Sequence, residues 1–280
     1  MPELPEVETV VRNLRSVLVN SKLSKLTVLK TKIVSPDLSS QIINQEIIAV
    51  ERLGKYIIIQ LSSGYLVVHL RMTGKLFTVN LTEFELAKQK YKHLHVIFDL
   101  ISIPRAPNFN QVDNLLLFVD QRQFGRIIFC DNLAWLQAKL GLDPFDNKFT
   151  VSWLKNKFSQ IKRAAKPVLL DQSIIAGLGN IYVDEVLWHA GINPKRPVNQ
   201  ISLSELQKLH TGIKNILELA IAKNGTTFQS YSFMGEKTGE FISYLKVFGR
   251  QDLACYTCGT KIIKLKIAQR GTHICPECQK

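Results

Sequence analysis

The sequence predicts an α+β chain: short strands behind an N-terminal helix, then a helical region, then a small C-terminal hairpin held by a metal. Three observations carry that expectation. Between residues 22 and 130, β-branched, aliphatic and aromatic residues recur in short runs divided by turn residues. Beyond about residue 150 the apolar spacing becomes that of helices. Near the end, four cysteines stand in two tight pairs, Cys255-x2-Cys258 and Cys275-x2-Cys278.

The first helix starts at Pro5, which suits an N-terminal position, with Glu6 and Glu8 favoured there by the helix dipole. Val7, Val10, Val11, Leu14, Val17 and Leu18 give it an apolar face. Strands are expected at Glu46 to Val50, Tyr56 to Leu61, Tyr65 to Leu70, His93 to Leu100, Leu115 to Val119 and Arg126 to Cys130, with turns at Gly54, Ser62-Ser63-Gly64 and Gly74. Such a set implies an antiparallel sandwich or barrel. Residues 101 to 114 exceed what a hairpin needs and read as a mobile surface loop. Helices follow at Val151 to Gln160 behind a Thr150 cap, Lys166 to Ala176, Asn180 to Ala190, and Ser202 to Lys223 closed by Gly225. Residues 226 to 244 read as a flexible loop. The expected divisions are a sandwich domain with the N-terminal helix at 1–135, a linker at 136–149, a helical domain at 150–243 and a metal-held hairpin at 244–280.

With 280 residues, 46% hydrophobic and 21% charged, the chain has the composition of a soluble globular protein and the length for two domains. Its 36 Lys plus Arg against 23 Asp plus Glu leave a net charge of +13, which favours a polyanion partner, nucleic acid first. No apolar run approaches the roughly 20 residues of a membrane span, and the acidic, Pro-rich start is unlike a signal peptide. An intracellular, monomeric protein is expected. Paired cysteines in that setting point to metal rather than disulfides.

Four thiolates at the spacing of Cys255, Cys258, Cys275 and Cys278 close a tetrahedral zinc site, and so small a module has too little core to fold without it. With every ligand supplied by protein, the zinc is structural. Between the pairs, an alternating strand, a tight turn and a return strand place Arg270 near a hairpin tip, where it is either a solvated surface residue or one inserted into a groove. At the other end, removal of Met1 would leave Pro2 as a terminal secondary amine. An α-amino group has a pKa of about 7.7 to 8.0, so roughly a tenth is a neutral nucleophile at pH 7. Its iminium has no N–H to lose and acts as an electron sink. Glu3 sets a carboxyl group beside it for proton transfer. The residues alone leave open that this stretch only begins a helix. In Asp171 to Tyr182, Gly177 and Gly179 permit close backbone approach, and Asn180 starts a helix whose free N–H groups favour an anion.

Pro2-Glu-Leu-Pro-Glu-Val-Glu-Thr9 resembles the terminal signature of the formamidopyrimidine-DNA glycosylase (Fpg, MutM) family. Asp171-Gln-Ser-Ile-Ile-Ala-Gly-Leu-Gly-Asn-Ile-Tyr182 is similar to that family's helix-two-turns-helix motif, and Ala268-Gln-Arg-Gly-Thr272 to its zinc-hairpin signature. The resemblance covers nearly the whole chain in order. It implies a β-sandwich, a helical domain with that motif and a zinc hairpin, with duplex DNA in the cleft between domains. Pro2 is then the nucleophile, Glu3 the proton donor, Lys55 a phosphate-binding and proton-transferring lysine, and Arg270 a catalytic contact to the phosphate beside the lesion, implicated in the second elimination. Met72, Arg122 and Phe124 match the family's base-displacing set: a void filler, a partner for the orphaned base and a wedge. His93, Asn180, Lys166 and, more weakly, Lys162 match DNA contacts, and Glu6 and Tyr182 join that set.

Leu94 stands where the family usually has an acidic residue, and the 101–114 connection is long for it. The related endonuclease VIII type shares the nucleophile but prefers oxidised pyrimidines; Leu4 and the Arg122-x-Phe124 pair favour the purine enzyme. A catalytically silent zinc-dependent DNA-binding protein is the alternative outside enzymes.

Overall fold

The computed structural model describes residues 1–84, 89, 92–103, 114–226 and 239–280. It divides into two compact units, one of residues 1–135 with 226–239 and one of residues 136–225 with 240–280. The connections expected to be mobile at 101–114 and 226–244 lie largely outside the described residues.

The first unit begins with helix α1 (Leu4–Leu18). One four-stranded antiparallel sheet has the order β1 (Ser21–Val28), β6 (Leu94–Ser102), β7 (Asn114–Asp120), β5 (Gly74–Asn80). The other runs β2 (Ile47–Leu53), β3 (Tyr56–Leu61), β4 (Tyr65–His69), β8 (Arg126–Cys130). A single core joins them: Val7, Val11 and Leu14 of α1 pack with Leu76, Phe98 and Phe118 of one sheet and Ile57, Val68 and Ile127 of the other. The architecture is therefore a sandwich. The first sheet is apolar on its outer face too, where Phe77, Leu94, Ile97, Leu117 and Val119 cluster. Leu94, which pairs with Val119 across the ladder, is part of that cluster.

Helix α2 (Leu38–Ile42) is absent from the expectation, and strands β1 and β5 lie in the stretch read as strands without having been marked out individually. Gly74 is not a turn but the first residue of β5; its N–H meets Leu70 O at 3.0 Å, and a Cβ there would strike that carbonyl.

In the second unit, α3 (Val151–Ser159) is capped by Thr150, whose hydroxyl accepts the Trp153 N–H at 3.1 Å. Helix α4 spans only Ala165–Leu170, shorter than expected. Asp171 ends it by turning its carboxylate to the N–H and hydroxyl of Ser173. Helix α5 (Asn180–Ala190) has the expected bounds, and α6 (Leu203–Ala222) carries a full capping box from Ser202 and Glu205. Left-handed Asn224 and Gly225 end it. The hairpin β9 (Ile263–Ile267) and β10 (Arg270–Ile274) turns through Ala268 and Gln269, both at positive φ, as a tight right-twisted hairpin requires.

Candidate active site and nucleic-acid interface

Chain termini usually fray; this one is pinned. Glu3 is the extended N-cap of α1, and its N–H donates to Glu6 Oε2 at 2.8 Å while its own carboxylate receives the Glu6 N–H. Glu6 Oε1 accepts the Thr226 N–H at 2.7 Å. Pro2, Glu3 and Glu6 are buried, whereas Met1 is exposed. Glu6 was expected among the DNA contacts; its buried carboxylate, committed to two backbone amides, makes it a clamp on the terminus instead.

Lys55, also buried, follows Gly54, whose positive φ turns β2 into β3. Across the ladder from Tyr56 stands His69, which packs edge-on against that ring at 4.5 Å. Burial, then the charges of Arg71 and Lys55, press its pKa down to about 4. Its Nδ1 accepts the Arg71 N–H at 2.9 Å, so the neutral ring carries its proton on Nε2. Sequence reasoning passed over His69; a histidine among the aliphatic residues of β4 is the signal that marks it.

Met72 and Arg122, 50 residues apart, meet: Arg122 Nη1 lies 3.0 Å from Met72 Sδ. The same guanidinium sits 4.9 Å over the Phe124 ring. Met72 is 39% and Phe124 47% exposed, so an apolar side chain, a cation and an aromatic ring form one outward cluster. His93 is exposed nearby in sequence, and its carbonyl accepts the Asp120 N–H at 2.9 Å.

In the second unit, Asn180 opens α5 and its Nδ2 donates to Gly271 O at 3.0 Å, beside Arg270. Lys166 is 0% exposed; its Nζ donates to Asp184 Oδ1 at 2.6 Å and to Gly271 O at 3.0 Å. It was expected to touch DNA, but an ammonium so enclosed has no surface to give a phosphate, and it instead fixes the backbone next to Arg270. Tyr182, in the first turn of α5, has a fully buried side chain, with its ring 5.7 Å from that of Phe241. Lys162 and Arg270 are exposed. Two acids of α5 were missed because their partners are distant in sequence. Asp184 Oδ2 accepts the His273 N–H at 2.9 Å. Glu185 gathers the N–H groups of Lys246, Val247 and Phe248 at 2.8, 2.9 and 2.8 Å.

The Sγ atoms of Cys255, Cys258, Cys275 and Cys278 lie within 4.8 Å of one another, with 3.9 Å between Cys255 and Cys278 and 3.4 Å between Cys258 and Cys275. Tetrahedral zinc with bonds of about 2.3 Å sets its sulfurs about 3.8 Å apart, so the donors fit the ion. Gln279 braces the site, accepting the Cys275 N–H at 2.9 Å and donating to Ile192 O at 3.0 Å. The protein carries one structural zinc at these four thiolates. The fifth cysteine, Cys130, is half-buried in β8, and desolvation raises its thiol pKa.

Three family profiles match the chain in succession: the formamidopyrimidine-DNA glycosylase N-terminal domain over residues 1–127, its H2TH domain over 140–232, and a zinc finger found in FPG and IleRS over 253–280. The formamidopyrimidine-DNA glycosylase of Lactiplantibacillus plantarum is 39% identical over 99% of this chain and 98% of its own length. That of Exiguobacterium sp. is 38% identical over the whole of both. Among solved structures, wild-type Lactococcus lactis Fpg (MutM) with N7-benzyl-Fapy-dG containing DNA superposes with a TM-score of 0.87 at 34% identity, covering 100% of each chain. Lactococcus lactis Fpg with abasic-site containing DNA gives 0.87 at 34% identity over 99% of each. A sandwich with a pinned amino terminus, joined in sequence to a helical unit with a zinc hairpin, is thus the scaffold of a DNA glycosylase of base excision repair. Within that class the chain belongs to the formamidopyrimidine-DNA glycosylase family. Among the described residues no helix is long and apolar enough to cross a membrane.

Proposed function

We propose that the chain removes oxidised purines, 8-oxoguanine and formamidopyrimidines, from duplex DNA and then cuts the strand at the abasic site through an iminium on Pro2. The observation that carries this reading is the fixed terminus: the Glu3 N–H on Glu6 Oε2 at 2.8 Å holds Pro2 and Glu3 in one place, and the Thr226 N–H on Glu6 Oε1 at 2.7 Å ties that cap to a distant part of the unit, beyond what a helix start needs.

With Met1 removed, the neutral Pro2 nitrogen attacks C1′ of the damaged nucleoside, the C1′–base bond breaks, and the departing base carries off the proton that the attached nitrogen loses. Glu3 gives a proton to the sugar ring oxygen as the C1′–O bond opens, and the nitrogen lone pair forms the C1′ iminium. That cation acidifies the 2′ hydrogens. Loss of one expels the 3′ phosphate, conjugation carries a second elimination to the 5′ phosphate, and water hydrolyses the iminium to free Pro2. Met72, Arg122 and Phe124 occupy the gap left by the extruded base. His93 and Lys162 contact DNA, the start of α5 at Asn180 and Arg270 bind backbone phosphate, and Lys55, buried until the duplex docks, meets a phosphate and passes protons there, while Arg270 beside the lesion assists the second elimination. The zinc holds the hairpin and touches no reacting atom. The enzyme works as an intracellular monomer on double-stranded DNA.

Excision from duplexes carrying 8-oxoguanine, a formamidopyrimidine or thymine glycol tests the reading. Release of both purine lesions with a gap ending in phosphates on both sides supports it. Preference for thymine glycol would assign the endonuclease VIII specificity, and no excision at all the silent DNA-binding protein.

A further inference from the structure

Asp120, the last residue of β7, is fully buried, and the chemistry above gives it no task. Its carboxylate gathers donors from two separate turns. Oδ1 accepts the Thr73 hydroxyl at 2.5 Å and the Arg122 N–H at 3.2 Å, and Oδ2 accepts the Gly125 N–H at 2.8 Å. Thr73 Oγ1 accepts the same Arg122 N–H at 3.1 Å, closing a triangle of carboxylate, hydroxyl and amide. The Asp120 backbone is held as well, its N–H on His93 O at 2.9 Å and its carbonyl on His95 Nε2 at 2.7 Å. A Cβ on Gly125 would strike the Phe118 ring, so that end of the turn has no slack.

What this clasp carries is exposed: Met72 immediately before Thr73, and Arg122 and Phe124 between Asp120 and Gly125. A buried carboxylate is a poor way to gain stability, because its desolvation offsets most of what its hydrogen bonds return. It is a good way to fix geometry, since each oxygen specifies the direction of its donors. Extruding a base costs a few kcal/mol of lost stacking, and side chains on hinged turns would yield under that load.

We propose that Asp120 is the positioning residue that locks the 71–73 and 121–125 turns together, so that Met72, Arg122 and Phe124 meet the DNA stack as one rigid body. This rests on the reading of those three residues as the base-displacing set. The test uses full-length, zinc-loaded protein. Asp120→Asn keeps the shape but supplies one acceptor oxygen for three donors, and Thr73→Val removes the hydroxyl corner, while Thr73→Ser keeps it. The readouts are fluorescence of 2-aminopurine opposite the lesion, excision from duplex, and cleavage of a pre-formed abasic site in single-stranded DNA, which needs no base displaced.

Asp120→Asn and Thr73→Val lower duplex excision by roughly ten- to a hundredfold, the scale of one broken buried hydrogen bond, and lose the 2-aminopurine signal. Both keep single-strand cleavage within about twofold, and Thr73→Ser restores the wild-type pattern. Equal losses on duplex and single strand, or unchanged duplex excision, would overturn the proposal. Met72→Ala and Phe124→Ala separate the two levels. If they abolish the fluorescence change while Asp120→Asn leaves it intact, only the role of Asp120 fails. If they too change nothing, the reading of the three residues fails and the proposal with it.

Discussion

Asp120 in the first unit and Asp184 in the second are both buried acids beneath exposed residues, yet their charges are met by different means. Asp120 is surrounded by a hydroxyl and two backbone amides, all neutral. Asp184 faces a full ammonium, Lys166 Nζ at 2.6 Å, together with the His273 N–H. The difference follows the size of the local core. Around Asp120 the sandwich already supplies two apolar clusters, so dipoles need only orient a pair of turns. The hairpin that presents Arg270 rests on a cluster of Val247, Cys255, Ile262 and Cys275, too little to hold a rigid ribbon. An ion pair and a metal take the place of packing there.

That comparison predicts unequal responses to damage. The largest effect belongs to the metal: Cys258→Ser, or chelation, removes a structural term of about 10 to 16 kcal/mol. Zinc analysis and calorimetry should find no bound metal and a lost second-unit transition, with the first unit's transition in place and duplex affinity down by on the order of a hundredfold or more. Full affinity in zinc-free protein would contradict it. Next comes Lys166→Met, which takes the ammonium from Asp184 and leaves only His273 beside it, and should cost about 3 to 5 kcal/mol in denaturant unfolding of that unit. Adding Asp184→Leu should recover part of the loss, because the uncompensated charge is gone. A double variant no more stable than the single would show that the pair is not the source.

A smaller effect belongs to the sandwich and depends on pH. His69 is held neutral, with its folded pKa near 4 against 6.5 for the free side chain. Below pH 6.5 the unfolded chain takes up a proton that the folded chain refuses, so stability falls as pH drops from 6.5 towards 4 and levels off below. The loss approaches about 3 kcal/mol. His69→Gln should flatten that limb relative to wild type; an unchanged difference across the window would place the depressed pKa elsewhere. The smallest is Thr150→Ala, which removes the α3 cap and should cost about 1 kcal/mol, seen as a modest fall in Tm.

What the sequence disclosed divides along the same line. Strands β3 and β8 and helix α5 have the bounds expected from their apolar runs, because local pattern and tertiary burial agree there. Strand β1 lies in the stretch read as strands, but Ser-Lys-Leu-Ser-Lys-Leu-Thr-Val has too many polar residues to mark its bounds, and Gly74 hid the start of β5 by resembling a turn. Helix α4 ends early because Asp171 prefers to bond Ser173, a local competition that apolar spacing does not register. At the site, the cysteine pairs are legible from spacing alone. Glu6 and Lys166 carry motif positions whose surroundings come from afar: Thr226 is 220 residues from Glu6, and Gly271 is 105 from Lys166. Sequence shows a charged residue in a DNA-binding motif; only the fold shows that its charge is already engaged.

The central claim is that the pinned terminus exists to present a nucleophile, and covalent trapping tests it most directly. Borohydride added during turnover should reduce the iminium and leave enzyme joined to lesion-containing DNA, with the adduct on the peptide that begins at Pro2. Pro2→Gly, which keeps a terminal amine, should retain partial trapping, and a retained Met1 or a blocked terminus should abolish it. An adduct mapped to Lys55 or any other lysine of the wild-type protein would contradict the account and leave the capped terminus with a structural role alone.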